Sequence, residues 1–180
     1  MTAGSVAKRY ARALAEVAAA SGELEPVRQD LQSFNALLRD NRDLRQFLAN
    51  ASVLKTDRVE VVGQIVGRMG LRPLSGTFLR ILAEAGRLTG LETILRTFEG
   101  LLDERLGRVK AVVTTAVPLD AAAQARLMAR LTAVTGKQAY LEIRQDPTIL
   151  GGLITQIGSQ VFDGSLRARL ARLRDELVRA

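Results

Sequence analysis

The sequence predicts a mainly α protein with a small α/β part: an N-terminal six-helix bundle followed by a β-α-β-β-α domain. Three observations carry this expectation. Apolar residues recur at helical spacing through roughly the first 105 positions, alternation replaces that period after Gly107, and Gly, Pro and Asp clusters punctuate the C-terminal stretch. Aromatics make up only 4% of the chain and Trp is absent, so the cores must be built from Leu, Val, Ile and Ala, as suits packed helices.

Each element is set by its spacing. Helix one is expected over about 5–21, with Val6, Tyr10, Leu14 and Val17 on one face and Gly22 as its stop. Helix two comes after Pro26 and carries Val27, Leu31, Phe34 and Leu38; a short third holds Leu44, Phe47 and Leu48. The fourth presents Val59, Val62, Ile65, Val66 and Met69 before Gly70 and Pro73. Its Gly63 and Gly67, spaced small-xxx-small, predict a close helix crossing. The fifth has Phe78, Ile81, Leu82 and Ala85 before Gly86, and the sixth runs from Leu91 through Ile94, Leu95, Phe98, Leu101 and Leu102 towards Arg105.

Beyond Gly107, Val109, Ala111, Val113 and Thr115 alternate as a strand. Pro118 and Asp120 open a helix through Leu127, Leu131 and Val134, which Gly136 ends. Ala139, Leu141 and Ile143 mark a second strand. Asp146-Pro147 and Gly151-Gly152 form a turn into a third strand over 153–162, in which Gly158 signals a bulge or a close backbone approach. Asp163-Gly164-Ser165 is read as a tight turn with Gly164 at positive φ and Ser165 as the N-cap of the last helix. That helix has a stripe of Leu166, Leu170, Leu173 and Leu177, with Arg167, Arg169, Arg172 and Arg174 around it.

Composition narrows the chemistry. The 180 residues include no Cys and no His, which removes disulfides, thiolate sites, the commonest general base and a leading metal ligand. Gly136-Lys137 lacks the rest of a phosphate loop, since Leu131 stands at the first glycine position and Gln138 comes next. Gly63, Gly67 and Gly70 have the wrong spacing for a dinucleotide fingerprint. The acids Glu23, Glu25, Asp40 and Asp43 are spaced as solvated helix ends. No enzyme is expected, and no catalytic, cofactor-binding or metal-binding residue. Nothing approaches the ~18 consecutive apolar residues of a membrane span. Lys8, Arg9 and Arg12 before an Ala-rich run look like a targeting peptide, but Glu16 interrupts that run and a first structural helix is expected.

Charge divides where the period changes. Residues 1–104 hold 14 Lys/Arg against 13 Asp/Glu, whereas residues 105–180 hold 12 against 6. A surplus of this kind points to an acidic partner. A basic nucleic-acid-binding protein is the alternative, although stacking aromatics are few and no recognition module is visible.

The layout resembles the delta subunit of F-type ATP synthases, whose mitochondrial counterpart is the oligomycin-sensitivity-conferring protein. The most specific segment is Ile149-Leu150-Gly151-Gly152-Leu153-Ile154, then Ile157-Gly158, then Asp163-Gly164-Ser165-Leu166 with Leu170 and Leu173. Arg9-Tyr10-Ala11 with Ala13-Leu14, and 82–88 reading Leu-Ala-Glu-Ala-Gly-Arg-Leu, add to it; the family usually has Asn where this chain has Ala85.

The resemblance implies a non-catalytic stator connector without a cofactor, one copy per complex, on the cytoplasmic face of the bacterial inner membrane and not inserted in it. Residues 1–105 would form the domain that holds an N-terminal helix of an alpha subunit between helices one and five, and residues 106–180 the domain that binds the peripheral-stalk b subunits. A helix held in a groove needs apolar anchors at helical spacing. Tyr10 and Leu14 on helix one, with Phe78, Ile81 and Leu82 on helix five, are the candidates. On the stalk side they are Gly151, Gly152, Gly158, Asp163, Gly164 and Ser165, the glycines serving chiefly to permit turns.

Overall fold

The computed structural model describes residues 3–179, without the side chains of 3, 172, 173 and 175–179. The predicted positions of Leu173, Leu177 and Arg172 on the last helix's surface therefore lie outside the described side chains. The chain divides into two compact units, residues 1–102 and 103–180.

The first unit is helical: α1 (Ala3–Ala20), α2 (Leu24–Asp40), α3 (Arg42–Ala49), α4 (Lys55–Met69), α5 (Pro73–Glu84) and most of α6 (Leu91–Arg105). A helix of mainly apolar and small residues needs clear stops, and Gly70 supplies one by ending α4 in the left-handed region at φ 62°. Helix α2 begins two residues before Pro26. A proline in the first turn costs no helical hydrogen bond, because those N–H groups have no intrahelical acceptor. Asn41 caps α3 by accepting from the Leu44 N–H at 2.9 Å.

The core joins Val27, Leu31 and Phe34 of α2, Val62 of α4, Leu79 and Leu82 of α5 and Leu91 and Phe98 of α6, all buried. Helix α1 enters it through Ala7, Ala11, Leu14, Ala15 and Ala18. Its inward face is thus largely alanine, and the expected core residue Val17 is 53% exposed. Small side chains let α1 lie close to its neighbours, and of its two valines Val6 is buried while Val17 lies on the outward side. The expected glycine crossing is also displaced. A Cβ at Gly67 would meet nothing within 4 Å and one at Gly63 would make ordinary contact with Arg80. One at Gly76 of α5 would lie 2.7 Å from Val66 Cγ1 of α4, so the close approach is there.

Asp30 fastens α2 to the start of α5. Its carboxylate accepts from the Arg72 backbone N–H at 3.1 Å, the Arg72 guanidinium at 2.9 Å and the Ser75 hydroxyl at 2.7 Å. Arg72, the N-cap residue of α5, provides no side-chain cap. Asp30 instead anchors the N-cap residue and the first-turn Ser75 of α5 from another helix.

The second unit contains β1 (Arg108–Thr115), α7 (Ala121–Thr135), β2 (Gln138–Gln145), β3 (Leu153–Ile157), β4 (Gln160–Asp163) and α8 (Leu166–Arg179). The strand order is β2-β1-β3-β4, with β1 parallel to β2 and antiparallel to β3. The helical crossover α7, capped by Asp120 and ended by Gly136 at φ 66°, packs along β2 and gives the parallel pair its connection. The single strand expected over 153–162 is a hairpin: Ile157 pairs with Gln160 across Gly158-Ser159. Gly158 has φ 58°, the positive angle a two-residue type II′ turn demands of its first central residue. It makes a turn, not a bulge.

Candidate partner-binding surfaces

On the bundle, the five predicted groove residues separate by burial. Leu14 and Leu82 are buried in the core, as is Phe78, whereas Tyr10 is half-buried and Ile81 is 47% exposed. The Tyr10 and Phe78 rings meet edge-on, 6.5 Å between centroids and 70° between planes, joining α1 to α5. An edge-on pair of this kind adds a quadrupole term to the apolar contact. The Arg9 guanidinium sits 5.8 Å from the Tyr10 ring centre. Tyr10, Ile81 and Val17 are therefore the side chains with surface left to offer, while Leu14, Phe78 and Leu82 support them from within. Val17 escapes a reading by period because its spacing also fits the core stripe. Alongside, Lys8, Arg9 and Arg12 line a shallow concavity on α1 together with Glu16, giving this helix a cationic flank.

In the second unit, the segment from Asp146 to Leu166 is a connected piece of backbone architecture. Asp146 accepts from the Thr148 N–H at 2.9 Å and from its hydroxyl at 2.6 Å, and these bonds hold its pKa below the usual carboxylate value. Leu150 then adopts φ 62°, an unfavourable angle for a bulky L-residue, and projects into solvent at 70% exposure. Gly152 has φ 79°, and a Cβ there would lie 2.5 Å from the Gly164 carbonyl oxygen. A Cβ at Gly151 would meet Leu166 Cδ1 at 2.8 Å.

The two ends of the motif are thus pressed together, and hydrogen bonds lock them. The Gly164 N–H donates to the Leu153 carbonyl and the Leu166 N–H to the Gly151 carbonyl, each at 3.0 Å. Asp163 accepts from the Ser165 N–H at 2.9 Å, and the buried Ser165 hydroxyl accepts from the Ala168 N–H at 3.1 Å, capping α8. The predicted cap is present. The predicted positive φ at Gly164 does not occur; its constraint is a Cβ position 3.2 Å from the Leu153 carbonyl oxygen. Gly152 is the residue at which glycine is most needed.

This scaffold displays Leu150, Phe162, Leu166 and Leu170, each about half exposed or more, with Arg167 and Arg169 exposed among them. The exposure of Phe162 and Val161 departs from the sequence pattern, since a strand buried on one face would have hidden one or the other. It arises from the hairpin, which places β4 at the sheet edge. Elsewhere on the sheet, Glu142 bonds Lys110 at 2.5 Å and Arg144 at 2.6 Å; the Lys110 bond first, then that of Arg144, holds its pKa below the usual value. No group of His, Cys, Asp and Glu suited to a metal occurs among the described residues.

These features coincide with a family match. Residues 6–177 match the ATP synthase delta (OSCP) subunit family. The chain belongs to that family. It is 40% identical to the ATP synthase subunit delta of an Anaeromyxobacter species over 177 residues, covering 98% of this chain and 99% of that protein. It is 34% identical to the ATP synthase subunit delta of Citrifermentans bemidjiense, covering 98% of each. Among solved structures, a chain of the Toxoplasma gondii mitochondrial ATP synthase hexamer superposes with a TM-score of 0.74 at 30% identity, over 99% of this chain and 98% of that one. As a delta-family chain it is a non-catalytic component of an F-type ATP synthase, with a stator-like role in the peripheral stalk and a peripheral relation to the membrane. No described helix is long and apolar enough to cross a membrane.

Proposed function

We propose that this delta-family chain ties the catalytic head of an F-type ATP synthase to its peripheral stalk, so that rotor torque drives synthesis instead of turning the head. The bundle, residues 1–105, receives an N-terminal helix of an alpha subunit against Tyr10, Ile81 and Val17. The basic domain, residues 106–180, engages the b subunits through the surface that its glycine-braced motif displays. One copy serves each complex, on the cytoplasmic face of the bacterial inner membrane.

The observation that supports this reading is that each unit exposes both large apolar side chains and arginines. The bundle exposes Val17 and Ile81 together with Arg9 and Arg12; the α/β unit exposes Leu150, Phe162, Leu166 and Leu170 together with Arg167 and Arg169. A connector needs two such surfaces, and their shared charge fits acidic amphipathic helices. Affinity purification of the tagged full-length chain from native membranes tests it. Recovery of both alpha and b subunits is expected. Recovery of neither, or of nucleic acid in their place, would reject the reading.

A further inference from the structure

We propose that the helical bundle carries a second docking site, apart from the α1–α5 face, for a short acidic segment of a partner protein anchored by an aliphatic side chain. A concavity of about 450 Å³ lies among the last turns of α2, helix α3 and the turn that leads into α6. No residue of α1, α4 or α5 lines it. The buried side chains Leu38, Leu48 and Leu88 form its apolar part, and the exposed residues Arg39, Arg42 and Arg45 its charged part.

The three arginines form no ion pair among the described residues. The one acid in the lining, Glu92, is held by Arg96 at 3.3 Å. Local helix preference accounts for Arg39, in the last turn of α2, but not for Arg42, which opens α3 at the end where the helix dipole disfavours a cation and only Asp43 offsets it. Three uncompensated guanidinium groups over an apolar floor match a ligand with carboxylates and a hydrocarbon anchor, because Arg binds carboxylates in a planar fork. The volume suits a few side chains of a short segment. A whole helix, about 10–12 Å across, does not fit. An inorganic phosphate would leave the leucine floor without a partner, which favours the peptide.

The test uses the full-length chain and a fluorescein-labelled six-residue peptide of alternating Glu and Leu, read by anisotropy at low salt. Binding is expected to be saturable, to weaken with salt and to be absent for the matching Lys–Leu peptide. Arg42→Glu with Arg45→Glu should lower affinity at least about tenfold, since like charge replaces opposite charge at the contact. Ala49→Phe, at an exposed residue of the lining, should lower it by a similar factor by filling the concavity without altering charge. Lys55→Glu with Arg68→Glu makes the same charge change on α4 and should leave binding as in the parent. The proposal is overturned if the Lys–Leu peptide binds equally, if both lining variants bind like the parent, or if equimolar pyrophosphate displaces the peptide, which would identify a small-anion site instead.

Discussion

The two units differ in how much core lies behind their exposed apolar side chains. The bundle buries side chains from every helix, and among its described residues only Val17, Leu54 and Ile81 are large hydrophobics left exposed. Among its described apolar residues the α/β unit buries only Ala111, Val113, Ala139 and Ile149, while Val134, Leu150, Val161, Phe162, Leu166 and Leu170 all face solvent. Its order comes from backbone constraint: a parallel strand pair, a glycine-braced turn and a capped helix. A surface on a full core is an addition to a fold that already stands. Exposed apolar area on a sparse core links folding to binding if, as proposed above, a partner covers it.

The largest expected effect separates the units. A fragment of residues 1–105 should stay helical and unfold cooperatively, since it keeps the whole bundle core. A fragment of 103–180 should be far less stable, because ~75 residues bury proportionally little surface. Urea denaturation followed by circular dichroism measures both; equal midpoints would erase the contrast. Cutting at 103 and not 106 keeps the 2.7 Å bond from the Tyr140 hydroxyl to Asp103, and the longer fragment should be the more stable of the two.

Gly152→Val should come next, at about 3 kcal/mol or more, since it combines a positive-φ β-branched residue with a Cβ driven against the Gly164 carbonyl. Gly164→Val, which meets only one carbonyl at 3.2 Å, should cost less, about 1–2 kcal/mol. Hydrogen exchange should place the loss in the second unit for both variants. Protection lost in α2 or α5 instead would mean that the units are not independent.

On the bundle, Tyr10→Ala or Ile81→Ala should weaken binding of an alpha-subunit N-terminal peptide by about 2 kcal/mol, roughly 30-fold. Ile81→Ala is the cleaner variant. Tyr10→Ala also removes the edge contact with Phe78, so its melting temperature should fall as well. Titration calorimetry that finds parental affinity in folded variants would assign both side chains to the bundle alone.

The smallest effect is on pH dependence. Glu142 has a depressed folded-state pKa because Lys110, and then Arg144, bond its ionised form. Its contribution is therefore present above the ordinary carboxylate value and is lost as pH falls through the lower folded value. Glu142→Gln should flatten the acid limb of the second unit's stability curve slightly and leave neutral-pH helicity of the bundle unchanged. Superimposable acid limbs would show that this exposed cluster contributes nothing measurable, as surface pairs often do.

Most elements are legible in the sequence because hydrophobic period and punctuation agree: α4 ends at Gly70, α7 is capped by Asp120 and ended by Gly136, and Ser165 caps α8. The 153–162 segment reads as one strand, and folds as two, because a single glycine between two short alternating runs serves a bulge and a turn equally well. The partner surfaces are less legible still. Leu14, Phe78 and Leu82 share the apolar character of Ile81, and period alone assigns all of them to one face.

What the sequence determined by itself is local: where the chain turns, which period each stretch obeys, where charge accumulates and which chemistry is missing without Cys and His. What only the tertiary structure decided is which of several equally apolar residues is covered. That choice depends on how closely neighbouring elements approach. Alanines draw α1 in while Val17 lies on its outward side, Gly76 lets α4 and α5 meet at Val66, and the Gly152 backbone passes beneath the Gly164 carbonyl. Close approach is a property of two surfaces at once, and neither stretch of sequence encodes it alone.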